Sequence, residues 1–381
     1  MRVLPVKEPL ETDILTTEGV DKYIKREIRR QYPGDNFSHY EETLKILGFI
    51  PVQTDLMGTL MNLYLEQVAG FYDDISGQFF VMESFDMNET ITGIILAHEI
   101  CHALQDQNFN LGEMGLLQSN NDDKSYAVLS ALEGDATILM MEWYQNNFTL
   151  GSLMGMVEML GMDQSSFNET PYFIQNLLVF PYIQGMNFMT MVMAHYGPDG
   201  RDIPFRDPPD STEQILHPDK YYRERDEPTI VHLPEGLSMQ GRGWRRSYEN
   251  TFGEMGLKLL FEQYLAGNKS REAAAGWDGD RYALFHKDGK FLILWDSVWD
   301  SSLDVEEAAD AFTKVMQERY SDFQKDEDFS ENDMAAYSGA CGEISSGNCY
   351  MRLHRGLRRI RLVLTNDSEA WKTDFLTMPL E

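Results

Sequence analysis

Two histidines stand four residues apart in His98-Glu99-Ile100-Cys101-His102, and a glutamate directly follows the first. On a helix, residues i and i+4 project from one face, so both imidazoles reach a single tetrahedral cation. The residue after the first histidine projects to the side, where a carboxylate meets a water on that cation. This is the His-Glu-x-x-His arrangement of zinc peptidases: the metal acidifies the water, and the glutamate takes its proton and later delivers it to the leaving amine. Glu99 is then the general base. Ile91, Ile94, Ile95 and Ala97 before the motif, and Ala103-Leu104 after it, make a helix the natural setting. The plain alternative is two histidines packed within an ordinary helix.

A catalytic zinc takes a third protein ligand and keeps one position open. Ala131-Leu132-Glu133-Gly134-Asp135-Ala136 offers one. A carboxylate flanked by small residues inside an apolar helix is costly to bury unless something pairs with it, and a metal would. Taken alone, Glu133 reads equally well as a solvated helix residue; beside His98 and His102 it reads as the third ligand.

These residues resemble the gluzincins, the thermolysin-like zinc peptidases, and most closely a bacterial and archaeal group of that type. The likeness is carried by His98-Glu-Ile-Cys-His102-Ala-Leu-Gln-Asp106-Gln with Glu133-Gly134. Three further stretches fit the pattern: Glu66 to Asp73, Ser211 to Tyr221 and Gly276 to Ala283. The resemblance thus touches residues from about 45 to 315. It implies zinc held by His98, His102 and Glu133, with Glu99 catalytic. It also implies an edge strand, from the hairpin ending near Met82, along which an extended peptide pairs. Asp106 and Asp135 would be carboxylates that orient a ligating histidine, against the plainer reading of helix-surface acids. Such peptidases carry a further donor for the tetrahedral oxyanion, and His217 in the turn Leu216-His217-Pro218 is the candidate, with Tyr182, Arg281 and Tyr282 as weaker alternatives. The sequence departs from thermolysin in its longer His102–Glu133 interval and in lacking a calcium-loop pattern, which argues against calcium stabilisation.

The elements that must position these groups follow from periodicity. Helices are expected over Val20–Gln31, His39–Leu47 and about 54–68, then a hairpin of residues 70–74 and 78–82 across Ile75-Ser76-Gly77. The motif helix runs from Met87 to Gln107, the Glu133 helix from Lys124 to Asn146, and a methionine-rich helical stretch from Leu150 to His195. Its methionines alternate with Leu, Phe and Val, as a packed core requires. Residues 201–243 read as loop. A helix over Gly253–Tyr264, a hairpin of Arg281–His286 with Lys290–Trp295, an amphipathic helix over Val305–Tyr320 and a strand over Arg358–Thr365 complete the chain. The fold class is α+β: zincin-like and helix-dominated, with a small sheet beside the zinc-binding helix. The expected parts are a helical extension (1–50), a catalytic core (51–200) and a C-terminal α+β part completing the cleft (201–381).

Composition sets the surroundings. Apolar residues are 43% and aromatic residues 12% of the 381, which places the chain among globular proteins. The net charge of -30 repels phosphates and anionic membranes, so nucleic acid is not an expected partner. The island Arg352, Arg355, Arg358, Arg359 and Arg361 is expected to pair internally with the abundant acids. The apolar stretch Leu177–Tyr196 is long enough to span a bilayer, but Pro181, Gln184, Gly185, Asn187 and His195 interrupt it, so no membrane span is expected. Nor is a leader segment apparent. Cys341 and Cys349 either close a small disulfide loop, which would favour an extracytoplasmic compartment, or remain reduced. The leading expectation is a zinc-dependent peptidase acting on peptides or proteins. The alternatives are a zinc-stabilised binding protein without turnover, or a zinc amidase or esterase acting on a small molecule.

Overall fold

The computed structural model describes residues 4–67, 70–83, 89–116, 118, 120–147, 165–234, 242–320, 322–330 and 333–372. In chain order, the principal elements begin with β1 (Glu11–Leu15), α1 (Thr17–Gln31), α2 (Asn36–Leu47), α3 (Leu56–Gln67), β2 (Gly70–Asp73) and β3 (Gln78–Met82). Next come α4 (Glu89–Phe109), α5 (Asp122–Asn146), α6 (Tyr172–Tyr196), β4 (Arg245–Asn250), α7 (Gly253–Glu262), β5 (Trp277–Lys287) and β6 (Lys290–Trp299). The chain closes with α8 (Ser302–Arg319), β7 (Gln324–Lys325), β8 (Met334–Ala340), β9 (Asn348–Arg355) and β10 (Arg359–Thr365). The class is α+β with helix dominant. Residues 150–164 of the methionine-rich stretch lie outside the described residues.

The chain forms two compact units: residues 1–31, 55–118 and 124–226, and residues 32–54, 119–123 and 227–381. The first fifty residues are therefore shared between the two. The first unit is built around a three-stranded sheet in the order β1-β3-β2, with β1 parallel and β2 antiparallel to β3. Of the two hairpin strands, only β2 is an edge. The far side of β3 is taken by β1, in the register Glu11↔Gln78 to Leu15↔Met82. Val20 and Ile24 of α1 and Met82 of β3 form a buried cluster.

Helix α5 begins with Asp122 and Asp123, which complement the positive end of the helix dipole. It buries Val128, Ala131, Leu132 and Ala136 on one face. Helix α6 buries Phe173, Ile174, Leu177, Phe180, Phe188, Met189 and Val192, leaving Tyr172, Tyr182, Ile183, Met191 and Tyr196 exposed. It is long and apolar enough to cross a membrane. Where α5 and α6 cross, Gly134 faces Gly185: a Cβ on Gly134 would lie 2.1 Å from the Gly185 carbonyl carbon, and one on Gly185 2.0 Å from Ser130 O. Only glycine permits that approach.

The second unit centres on a seven-stranded antiparallel sheet in the order β4-β5-β6-β10-β9-β8-β7. Its long central hairpin β5–β6 turns on Asp288-Gly289, both at positive φ. Trp277, Trp295, Trp299, Phe261 and Phe312 are fully buried. Asp280 lies among them, accepting from Trp277 Nε1 and Trp295 Nε1 at 3.0 Å and from the amides of Phe252 (3.2 Å) and Gly253 (2.9 Å). Four donors on one carboxylate explain why this segment needs Asp between Gly279 and Arg281. The arginine island is engaged internally, as Arg361, Arg358 and Arg352 show. Arg361 makes a bidentate pair with Asp296 at 2.7 Å, Arg358 faces Asp278 and Asp300, and Arg352 lies over the rings of Phe329 and Trp371. Cys341 and Cys349 are disulfide-bonded.

Candidate metal centre

The site lies within the first unit, on α4, α5 and α6. His98 and His102 fall one helical turn apart on α4, with ring centroids 4.7 Å apart. Glu133 reaches them from α5. The three ligand atoms close a small triangle: His98 Nε2 to Glu133 Oε2 is 3.0 Å, His102 Nε2 to Glu133 Oε2 3.4 Å, and His98 Nε2 to His102 Nε2 3.1 Å. Bonds of ~2.05 Å to a tetrahedral zinc put ligand atoms ~3.3 Å apart. The donor set, two imidazoles and one carboxylate, also suits zinc and leaves a fourth position for a substrate or water. These are the groups that the His-Glu-x-x-His spacing and the small-residue context of Glu133 pointed to.

The side chains are 12–15% exposed, so the triangle is open on one side. Without a cation its electrostatics are those of an ion pair. Burial works against charge on His102, but the neighbouring Glu133 carboxylate outweighs it and raises the imidazole to about 9. Burial also opposes charge on Glu133, yet the two histidines hold it well below the carboxylate range.

Glu99 stands beside the triangle. Burial holds its carboxyl above the usual carboxylate range, against the pull of the two histidines and of a backbone bond from strand β2. That bond comes from Tyr72 N–H to Glu99 Oε2 at 2.9 Å. The Tyr72 hydroxyl donates to Asp106 at 2.9 Å, and Asp106 also accepts from Leu111 N at 3.0 Å. Asp106 therefore fastens the edge strand and the end of α4, rather than an imidazole. Asp135 reaches a ligand through an intermediary: His102 Nδ1 lies 2.9 Å from Gln105 Oε1, and Gln105 Nε2 donates to Asp135 Oδ2 at 2.8 Å. Arg201 pairs with the Asp135 carboxylate through Nε and donates to its backbone carbonyl at 2.9 Å.

Of the four candidates for an oxyanion donor, the structure brings Tyr182 to the triad. Its ring stacks 6.0 Å from that of His98. The charge of Glu133 keeps the Tyr182 phenol protonated well above the usual tyrosine range. His217 ends the short helix Thr212–Leu216, its amide donating to Glu213 O at 2.7 Å. Arg281 is paired with Glu249, and Tyr282 is fully buried against Phe252, both inside the second unit. Gln105 and Arg201 escaped the sequence reading. Gln105 carried a signal, three residues after His102 and so on the same helical face. Arg201 carried none.

A domain family of unknown function (DUF8575) matches residues 241–354, within the second unit and away from the histidine motif. No curated protein and no solved structure matches the chain.

Proposed function

We propose that this protein is a zinc-dependent peptidase of zincin-like fold, with His98, His102 and Glu133 as metal ligands and Glu99 as general base. The observation that carries the reading is the triangle of ligand atoms, 3.0–3.4 Å on each side, with a carboxylate of the same helix beside it. A zinc ion there would acidify a water and polarise a scissile carbonyl. Glu99 takes the water proton on Oε1, the oxygen not engaged by Tyr72 N–H, and passes it to the departing amine nitrogen. Tyr182 donates from its phenol to the oxygen that gains charge as the carbonyl is attacked. An extended peptide would pair with β2, the end strand of its sheet among the described residues, which also steadies Glu99. The Cys341–Cys349 bond fits an oxidising, extracytoplasmic setting.

The experiment is metal analysis of the purified protein together with digestion of a peptide library, in wild type and Glu99→Gln. About one zinc per chain in both proteins, with cleavage in wild type alone, is the expected result. A wild type without zinc would end the proposal. Turnover of small acyl compounds but of no peptide would move the reading to an amidase or esterase, and zinc without any turnover would move it to a binding protein.

A further inference from the structure

We propose that Gln105 is a positioning residue: it fixes His102 in the tautomer with its proton on Nδ1, so that the Nε2 lone pair faces the metal, and Asp135 with Arg201 holds the amide in that sense. The inference rests on the metal site of the preceding section and not on peptide cleavage.

A side-chain amide can be turned end for end, so its orientation must be argued from what surrounds it. The Nε2 end of Gln105 lies 2.8 Å from Asp135 Oδ2 and 3.2 Å from Leu132 O. Both are acceptors only, and the reverse orientation would set oxygen against oxygen. The carbonyl Oε1 is therefore the end that lies 2.9 Å from His102 Nδ1. A carbonyl oxygen accepts and cannot donate, so Nδ1 carries the hydrogen. Asp135 cannot turn away from the amide, because Arg201 grips both its carboxylate and its backbone carbonyl. Gln105 and Asp135 are fully buried and Arg201 is 3% exposed, so these three links lie out of contact with bulk solvent.

The choice of an amide has a chemical result. A carboxylate on Nδ1 would draw the ring proton toward itself and make His102 a stronger, partly anionic donor. Gln105 orients the ring and leaves it neutral. Glu133 is then the sole anion among the three ligands, and the bound cation keeps more of its charge to act on water and carbonyl.

The test uses the full chain as wild type, Gln105→Leu and the double variant Gln105→Glu/Asp135→Asn. Zinc affinity is read by competition with a chromophoric chelator, and the His102 tautomer from ¹⁵N-histidine spectra of the zinc-loaded protein. We expect His102 protonated on Nδ1 in wild type and zinc binding 10–100-fold weaker in Gln105→Leu. The double variant Gln105→Glu/Asp135→Asn restores an acceptor for His102 Nδ1 and gives the second carboxylate oxygen an amide donor in place of Asp135 Oδ2, so it should return affinity to within about fivefold of wild type. His102 bound through Nδ1 in wild type, Gln105→Leu binding zinc as tightly as wild type, or an equal loss in both variants would each overturn the proposal. If Gln105→Leu does not fold, the wild-type spectrum and the affinity of the double variant decide the matter. Zinc binding without peptide cleavage removes the peptidase reading and leaves the tautomer result standing, whereas a wild type that binds no zinc removes both.

Discussion

Zinc entering this site must displace a proton, and the number displaced can be predicted. His102 Nε2 lies 3.4 Å from Glu133 Oε2, and a proton held between them sits where a cation would bind. Glu133 raises the imidazole to about 9, although burial alone would lower it. At pH 7 that ring is almost wholly protonated, so binding zinc should expel about one proton from it, against about a quarter of a proton from an imidazole of ordinary pKa near 6.5. Glu133, held ionised by the histidines, adds nothing to the count at that pH. Affinity should therefore rise roughly 25-fold between pH 7 and pH 8.5, where an ordinary histidine would give less than about a twofold change. Titration calorimetry in buffers of different ionisation enthalpy counts the proton directly. The same pair gives the metal-free protein a pH-dependent stability. The folded state binds more protons than the unfolded state between about pH 6.5 and 9, so the contribution of His102 is complete below that window and is lost as pH rises through about 9. Its size is on the order of 3 kcal/mol. A proton count near a quarter at pH 7, with flat affinity above it, would refute the ion-pair account of His102 and Glu133.

Three further outcomes are expected. Tyr182→Phe should lower kcat by about 100-fold with KM and zinc content little changed, because it removes one donor to the developing oxyanion; steady-state kinetics and metal analysis check it. Asp280→Asn should cost roughly 2–4 kcal/mol in urea denaturation, since an amide nitrogen would face indole and backbone N–H groups that now share a carboxylate. Replacing Cys341 and Cys349 together by serine opens a loop of sequence separation 8 and should lower stability by about 2–3 kcal/mol, a loss that reducing agent should reproduce in wild type.

Much of this site was legible because helical spacing is local. His98, Glu99 and His102 announce their shared face within five residues, and Glu133 stands out as a charge among Ala131, Leu132, Gly134 and Ala136. The hairpin β2–β3 and the strands β5, β6 and β10 were readable from alternation and turn residues. What could not be read depends on distant partners. β1 has four exposed positions out of five, with no buried face to give it a period, and only its pairing with β3 makes it a strand. β8 (Met-Ala-Ala-Tyr-Ser-Gly-Ala) is built of small residues whose alternation carries little contrast. Tyr182 was a minor candidate since its neighbours on α6 are ordinary core residues. Asp135 was identified as a carboxylate serving a histidine, but its route through Gln105 involves an uncharged side chain. Asp106 was assigned to the same duty and instead serves Tyr72, a partner that only the folded hairpin supplies.

The Gly134–Gly185 crossing sets how far apart Glu133 and Tyr182 can stand, because Glu133 precedes one glycine and Tyr182 lies three residues before the other. The gauge is backbone against backbone, so its length does not depend on any rotamer. Most tight packing contacts can be repaired after a substitution by shrinking the opposing side chain. Here the opposing residue has no side chain left to shrink. A methyl group added on either helix must push the helices apart, carrying the phenol away from the carboxylate, and no second change at the partner position can restore the spacing. The two glycines form a joint that admits no compensated replacement, and the site inherits that rigidity.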